Sequence, residues 1–425
     1  MMKYIRLLFS RSYKGNIPKV FVYSFLTDFI LVLPIWVLFL QQERGLTLSQ
    51  VTIIDIALWA TIVLAEVPTG AIADVFGRKA SIIMGAIVVG FAVFLFGTAP
   101  SLALILVANS LWAIGMTFNS GAVQAIFYDS LVQLDREEEF TGLRGRLLLV
   151  SFAAVALSSF VGGWLGEFDL GLPFYLYSAA SFLSLPFLLR LEEPPQESDP
   201  DTLQKLTFRR TLQITVEALR RQPHLRYILL YSSLIPVTAS VVVDLFLQPY
   251  AASLGISIFT IGVIIAVLQL LRGLGSAASE RLVLHMGAWN WLRIAPVLIL
   301  VGILFLSFSG SISGILLFGI AIVAEPAIRP LIESLLLKNS PKSVRATILS
   351  VSALFFRLSL VIVEPGLGVL ADLRGLPITF LVLGLITFGA VALTLVGWSP
   401  VWRIHEEAER PQELAEEPLP GGVTP

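Results

Sequence analysis

Apolar runs of about 20 residues recur along the whole chain, and that feature decides which solvent the fold must suit. Each run is long enough to cross roughly 30 Å of hydrocarbon as a helix. From Val51 to Ala65, and again from Ile82 to Phe96, few polar side chains interrupt. In lipid the backbone has to satisfy its own hydrogen bonds, which leaves helices or closed barrels. Barrel strands would alternate apolar and polar residues in short segments, and no such pattern is present. Of the 425 residues, 56% are hydrophobic and only 14% charged, whereas a water-facing domain carries about a quarter charged residues. The sequence therefore predicts an all-α polytopic membrane protein. With no cysteine in the chain, disulfides and thiolate metal sites are excluded.

Twelve spans are expected, at about 17–41, 49–73, 79–99, 101–133, 141–166, 171–190, 225–252, 257–280, 289–309, 312–337, 343–371 and 376–398. Sorting Lys and Arg by side leaves only Arg44 and Arg374 on one face and nearly all the others opposite. By the positive-inside rule both termini are cytoplasmic, and a multi-pass protein of the cell membrane is expected. No cleaved signal peptide is read at the N-terminus. That basic segment either lies on the membrane as an amphipathic helix or simply fixes topology. Four regions follow: a first six-helix bundle (1–190), a polar linker (191–224), a second bundle (225–400) and a tail (401–425). The linker opens acidic and Pro-rich. It then repeats Leu203, Leu206, Leu212, Val216 and Leu219 at helical spacing, as a surface helix would. The acidic, Pro/Gly-rich tail reads as disordered.

The two halves echo each other at an offset of 204–210 residues: YSFL at 23 with YSSL at 231, GLTLSQV at 45 with GISIFTI at 255, DSL at 129 with ESL at 333, and GLP at 171 with GLP at 375. Four matches in the same order indicate a six-plus-six repeat, the design by which many transporters build a site near the bilayer midplane. Between spans two and three, Gly70, Asp74, Gly77, Arg78 and Lys79 form G-x-x-x-D-x-x-G-R-K. Gly70 can let helices approach, and Gly77 tolerates a tight turn. This loop, on the cytoplasmic side of a two-half, twelve-span chain, resembles the signature of the major facilitator superfamily. The resemblance covers nearly the whole chain. It implies two pseudo-symmetric six-helix bundles and a conformational latch through Asp74 and Arg78, with Asp129 as a second partner for Arg78. The second half keeps Gly287 of that loop but not its charges. Span five ends LSSFVGG, similar to the family's antiporter motif, with Gly162 and Gly163 in place but Ser158 and Ser159 where Gly-Pro would stand. Helix packing at the two glycines is the competing reading.

Ionisable residues inside the membrane are costly and mark functional candidates. The first half holds Asp28, Asp55 and Glu66, and no Lys or Arg of that half is expected inside the membrane. A carboxyl without a cation there holds a proton until it is wetted, as a proton carrier must. Asp28 is the expected protonation site, and a hydrogen bond to a neighbouring helix is its competing role. Glu66 is a second candidate, or else part of the latch. The second half mixes Asp244, Glu325 and Glu364 with Arg272, Arg329 and Arg357, an expected substrate cavity or charge network. Glu325 and Arg329 stand in the favourable i,i+4 order for an ion pair, and Glu333 mirrors Asp129. All histidines fall at span edges or in the tail, so no histidine relay is expected in the membrane.

These features fit a secondary active transporter, proton-coupled and exporting small amphipathic compounds. Two alternatives stay open: a transporter of a polar or anionic metabolite using the arginines, and a non-transporting sensor on the same scaffold. No nucleotide-binding G-x-x-x-x-G-K-[ST] loop and no nucleophile–base pair is found, so neither an ATP-driven pump nor an enzyme is expected. The expected partners are a small-molecule substrate, protons and the lipid bilayer, not nucleic acid. A monomer without cofactor or metal is expected.

Overall fold

The computed structural model describes residues 7–119, 121–195, 217, 220, 222–340 and 345–416. All regular structure among them is helical. The first crossing is interrupted. Helix α1 (Tyr13–Asp28) stops at Asp28, residues 29–35 are irregular, and Trp36–Leu38 with the wide π turn Phe39–Glu43 completes the passage. Pro34 lies in the break and has no N–H to continue the ladder. Among the described residues, eleven helical stretches long and apolar enough to span a membrane follow. They are α2 (Leu48–Phe76), α3 (Arg78–Thr98), α4 (Leu102–Val132), α5 (Glu137–Gly166), α6 (Leu172–Leu189), α7 (Pro223–Ser253), α8 (Ile258–Met286), α9 (Ala288–Ser309), α10 (Ile312–Lys338), α11 (Ile348–Arg374) and α12 (Leu376–Arg403). With the broken first crossing they make the twelve of two six-helix bundles. Large apolar side chains such as Leu64, Ile362 and Leu393 are exposed, as a lipid-facing belt requires.

Local chemistry sets the ends. Thr47 and Gln50 form a capping box at the start of α2, and Ser257 caps α8 at the matching place in the second half. Gly77 at φ 92° and Gly287 at φ 78° terminate those same two helices in a backbone region that L side chains avoid. The final helix runs past its apolar crossing to Glu416, into the tail that the sequence suggests is irregular. Most of the linker helix expected over 203–219 lies outside the described residues.

Irregular backbone at membrane depth is tolerated only where protein covers it. Gln248 of α7 provides that cover for α1. Its Nε2 donates to the Leu33 carbonyl at 2.9 Å, and its Oε1 accepts from the Val37 N–H at 3.1 Å. Leu31, Val32, Pro34 and Ile35 are buried around the break. Helix α7 itself loosens into a π segment over Ser240–Phe246, where the indole of Trp36 donates to the Asp244 carbonyl at 3.0 Å.

Two antiparallel seams join the bundles. Along α5 and α8, a Cβ built on Gly163 would stand 2.7 Å from the Gly262 Cα, and Phe160 and Phe259 meet edge to face at 5.3 Å. Gly162 takes the carbonyl of Leu31 where a side chain would stand. Along α2 and α11, Thr52 touches Gly368, Asp55 meets Glu364, Trp59 meets Phe356 and Glu66 meets Arg357. Each seam ends in a carboxylate of one bundle capping a helix of the other. Glu167 accepts from the Phe259 N–H at 2.7 Å, and Asp372 accepts from the Leu48 and Ser49 N–H groups at 2.9 and 3.0 Å. These caps are four and three residues before the repeated Gly-Leu-Pro at 171 and 375, so they are symmetry mates. They sit at the end of the molecule away from Arg78 and Lys79, called here the far end; the other is the basic end.

Candidate functional site

A cavity of about 500 Å³ opens between the bundles, within the usual range for small-molecule sites of about 300–1,000 Å³. Asp244, Arg272, Glu325 and Trp59 line its depth, and Arg329, Glu333, Leu336, Ser232 and Leu349 line it toward the basic end. Toward the far end it meets the closed seams and the Gln248 clamp. Nearly all of the lining comes from α7, α8, α10 and α11, with Trp59 the contribution of the first bundle.

The charges inside are arranged in pairs. Glu325, 4% exposed at its side chain, faces Arg272 at 3.5 Å. Arg329 instead turns to Glu333 at 3.2 Å, on an exposed stretch of α10. The i,i+4 pair between Glu325 and Arg329 that the sequence suggests is thus replaced. Burial favours the cross-helix partner for Glu325 because an unpaired charge there would go uncompensated. Arg357 reaches across the bundles to Glu66 at 2.9 Å. Each of the three arginines of the cavity already has a carboxylate. Asp244 differs: the Ser240 hydroxyl donates to it at 3.1 Å, and among the described residues no cation lies within ion-pair distance.

A second group of acids lies in the α2–α11 seam. Asp55, half-buried, accepts from the Trp59 indole at 2.9 Å and faces Glu364 between the Thr52–Gly368 and Trp59–Phe356 contacts. Glu364 is 1% exposed, and its Oε2 has no partner. Asp28, at the last turn of α1, lies within the first bundle, near Ser151 and Arg144 of α5. It does not line the cavity.

At the basic end Arg78 forms an ion pair with Asp129, inside the first bundle. The Glu193 carboxylate covers the Gly77 turn and accepts from the Lys79 N–H at 3.2 Å, within 2.7 Å of where a Cβ on Gly77 would stand. Asp74 is exposed on the last turn of α2. A Cβ on Gly70 would meet nothing within 4 Å, so no helix presses on Gly70 here. Glu193, Gln248, Glu167 and Asp372 escape a reading of the sequence by motif. The last two carry a usable signal, since aligning the halves on Gly-Leu-Pro places both acids at the same helix end. Among the described residues no cluster of His, Asp and Glu could hold a metal ion.

The sequence profile of the Major Facilitator Superfamily matches residues 20–364. No curated protein matches by sequence. Among solved structures, a mutant of the nucleoside transporter NupG superposes with a TM-score of 0.75 at 15% identity, covering 91% of this chain and 99% of that one. The D-xylose–proton symporter gives 0.67 at 14%, covering 90% and 97%. A bacterial homologue of the human lysosomal transporter Spinster, inward-facing and unoccupied, gives 0.63 at 16%, covering 91% and 95%. At such identities the likeness is one of fold.

Proposed function

The chain belongs to the Major Facilitator Superfamily and is a membrane transporter rather than an enzyme, and from that premise we propose that it exports small amphipathic cations or neutral compounds by alternating access, driven by protons. The basic end is the cytoplasmic face, by the excess of Lys and Arg there. The arrangement of open cavity and closed seams is then the inward-facing state of a protein of the cell membrane. Both termini, the linker and the Arg78–Asp129 pair lie on the inner side.

One observation carries the choice of substrate. All three cavity arginines are neutralised by carboxylates, whereas Asp244, deep in the cavity, has only a hydroxyl donor. An anion would have to displace a carboxylate from an arginine, while a cation meets an acid with no ion-pair partner of its own, Arg272 acting on it only from beyond its pair with Glu325. Trp59, Phe356, Ile332 and Leu349 supply the apolar wall for an amphipathic body. Direct binding of tetraphenylphosphonium to the purified protein tests this. Binding lost in Asp244→Asn and retained in Arg329→Ala supports the reading. Binding of an organic phosphate that disappears in Arg329→Ala would instead favour the anionic reading.

A further inference from the structure

Two carboxylates set against each other in a buried seam repel, and a single proton between them removes that repulsion. Asp55 and Glu364 are so placed, across the boundary between the bundles, flanked by the Thr52–Gly368 and Trp59–Phe356 contacts of the same seam. We infer that Asp55 and Glu364 share one transported proton, and that this proton fastens the outer half of the α2–α11 seam while the cavity faces inward. The inference rests on the reading of the chain as a proton-driven transporter and names the coupling site of that cycle.

The surroundings fit a proton. Asp55 takes the Trp59 indole on one oxygen, and Glu364 is buried with its Oε2 unpartnered. No group able to hold a metal is found among the described residues. The charged groups facing the pair are Asp244 on α7, then Arg272 on α8 with its partner Glu325, and the Glu66–Arg357 bridge further along the same seam. Helix α4 brings Asn109, whose amide donates to the Ile54 carbonyl at 2.6 Å. Helices α3 and α12 bring no ionisable side chain to that depth. No cation of this set is committed to the pair, so neither acid is compensated without the proton.

The equivalent place in the other seam is Gly163 against Gly262, which has nothing to titrate. Proton control is thus built into one seam only. Loss of the proton leaves two carboxylates repelling at the point where α2 and α11 touch. The far end then opens, wets the pair, and lets it reload from outside. The closed state holds one proton more than the open state, so rising pH favours opening. A one-proton linkage changes the ratio about tenfold per pH unit above the midpoint.

The natural absence of cysteine allows a clean readout. Spin labels on Gln42→Cys and Ser253→Cys, exposed at the far ends of the first and seventh crossings, report separation of the bundles in liposomes. The expected result is a short distance at low pH that lengthens as pH rises. Glu364→Gln can still donate to Asp55 without titrating, and should hold the short distance across the same range. Asp55→Asn/Glu364→Gln should do the same. Infrared difference spectra should show the carbonyl band of a protonated acid in the parent and none from this pair in Glu364→Gln. If Glu364→Gln opens with the parent's pH profile, the assignment is overturned, even where transport remains proton-driven. If the pair controls the gate but flux ignores the pH gradient, the inference stands and the proposed coupling fails.

Discussion

Removing both outer caps should shift the balance between inward- and outward-facing states without weakening either bundle. The bonds from Glu167 to Phe259, and from Asp372 to Leu48 and Ser49, each join one bundle to the other. They therefore exist only while the far end is closed. Thr47 and Ser257 stay behind as each helix's own cap, so the helices themselves remain intact. A carboxylate at a helix N-terminus contributes about 1 kcal/mol, and toward the lower end where exposed, as Asp372 is. The two sites are in separate seams, so their effects add. Glu167→Ala/Asp372→Ala should thus cost the closed state about 2 kcal/mol, roughly a 30-fold change in the ratio of states. Electron–electron distance measurements between labels at Gln42→Cys and Ser253→Cys read that ratio directly. Each single variant should give about the square root of the effect, and high salt should shrink the parent's advantage. An unchanged distance distribution in the double variant would refute the reasoning, because the caps would then contribute nothing to closure.

Other consequences follow from the same contacts. Gly163→Leu would force α5 off α8 at Gly262, so the far end should label from outside while the detergent-solubilised protein stays folded. Arg272→Ala strands Glu325 at 4% side-chain exposure and should destabilise by about 3–5 kcal/mol; adding Glu325→Gln should recover most of the lost melting temperature. Gln248→Ala leaves the Leu33 carbonyl and the Val37 N–H without their clamp. That should cost about 1–3 kcal/mol, seen as a lower melting temperature and faster hydrogen exchange over 29–37.

The sequence shows clearly whatever depends on solvent or repetition. Spans, their number and the two-half design follow from apolar run length and from four matched segments. Partners are another matter. Glu325 and Arg329 sit at ideal helical spacing, yet α8 brings Arg272 to the buried acid and leaves Arg329 to Glu333. Spacing along one helix cannot say what a second helix supplies. The break after Asp28 is hinted at by Pro34 alone, and its stabiliser, Gln248, lies 214 residues from that proline in the sequence. Asp28 and Glu66 stand out in sequence because no Lys or Arg of the first half is expected inside the membrane. In three dimensions Glu66 finds Arg357, and Asp28 finds Ser151. The acids facing each other without a cation, Asp55 and Glu364, belong to different halves and become neighbours only when the bundles meet.

Access to the cavity from one face at a time is the core of this account, and a single cysteine at Ser352, on the cavity wall, measures it. In sealed vesicles of known orientation, Ser352→Cys should react with a membrane-impermeant maleimide applied on the Arg78 face and stay unreactive from the other. Alkaline pH should move that reactivity to the opposite face. Equal reaction from both faces at once would describe a channel, and reaction from neither would mean the cavity is sealed; each contradicts alternating access from the state described.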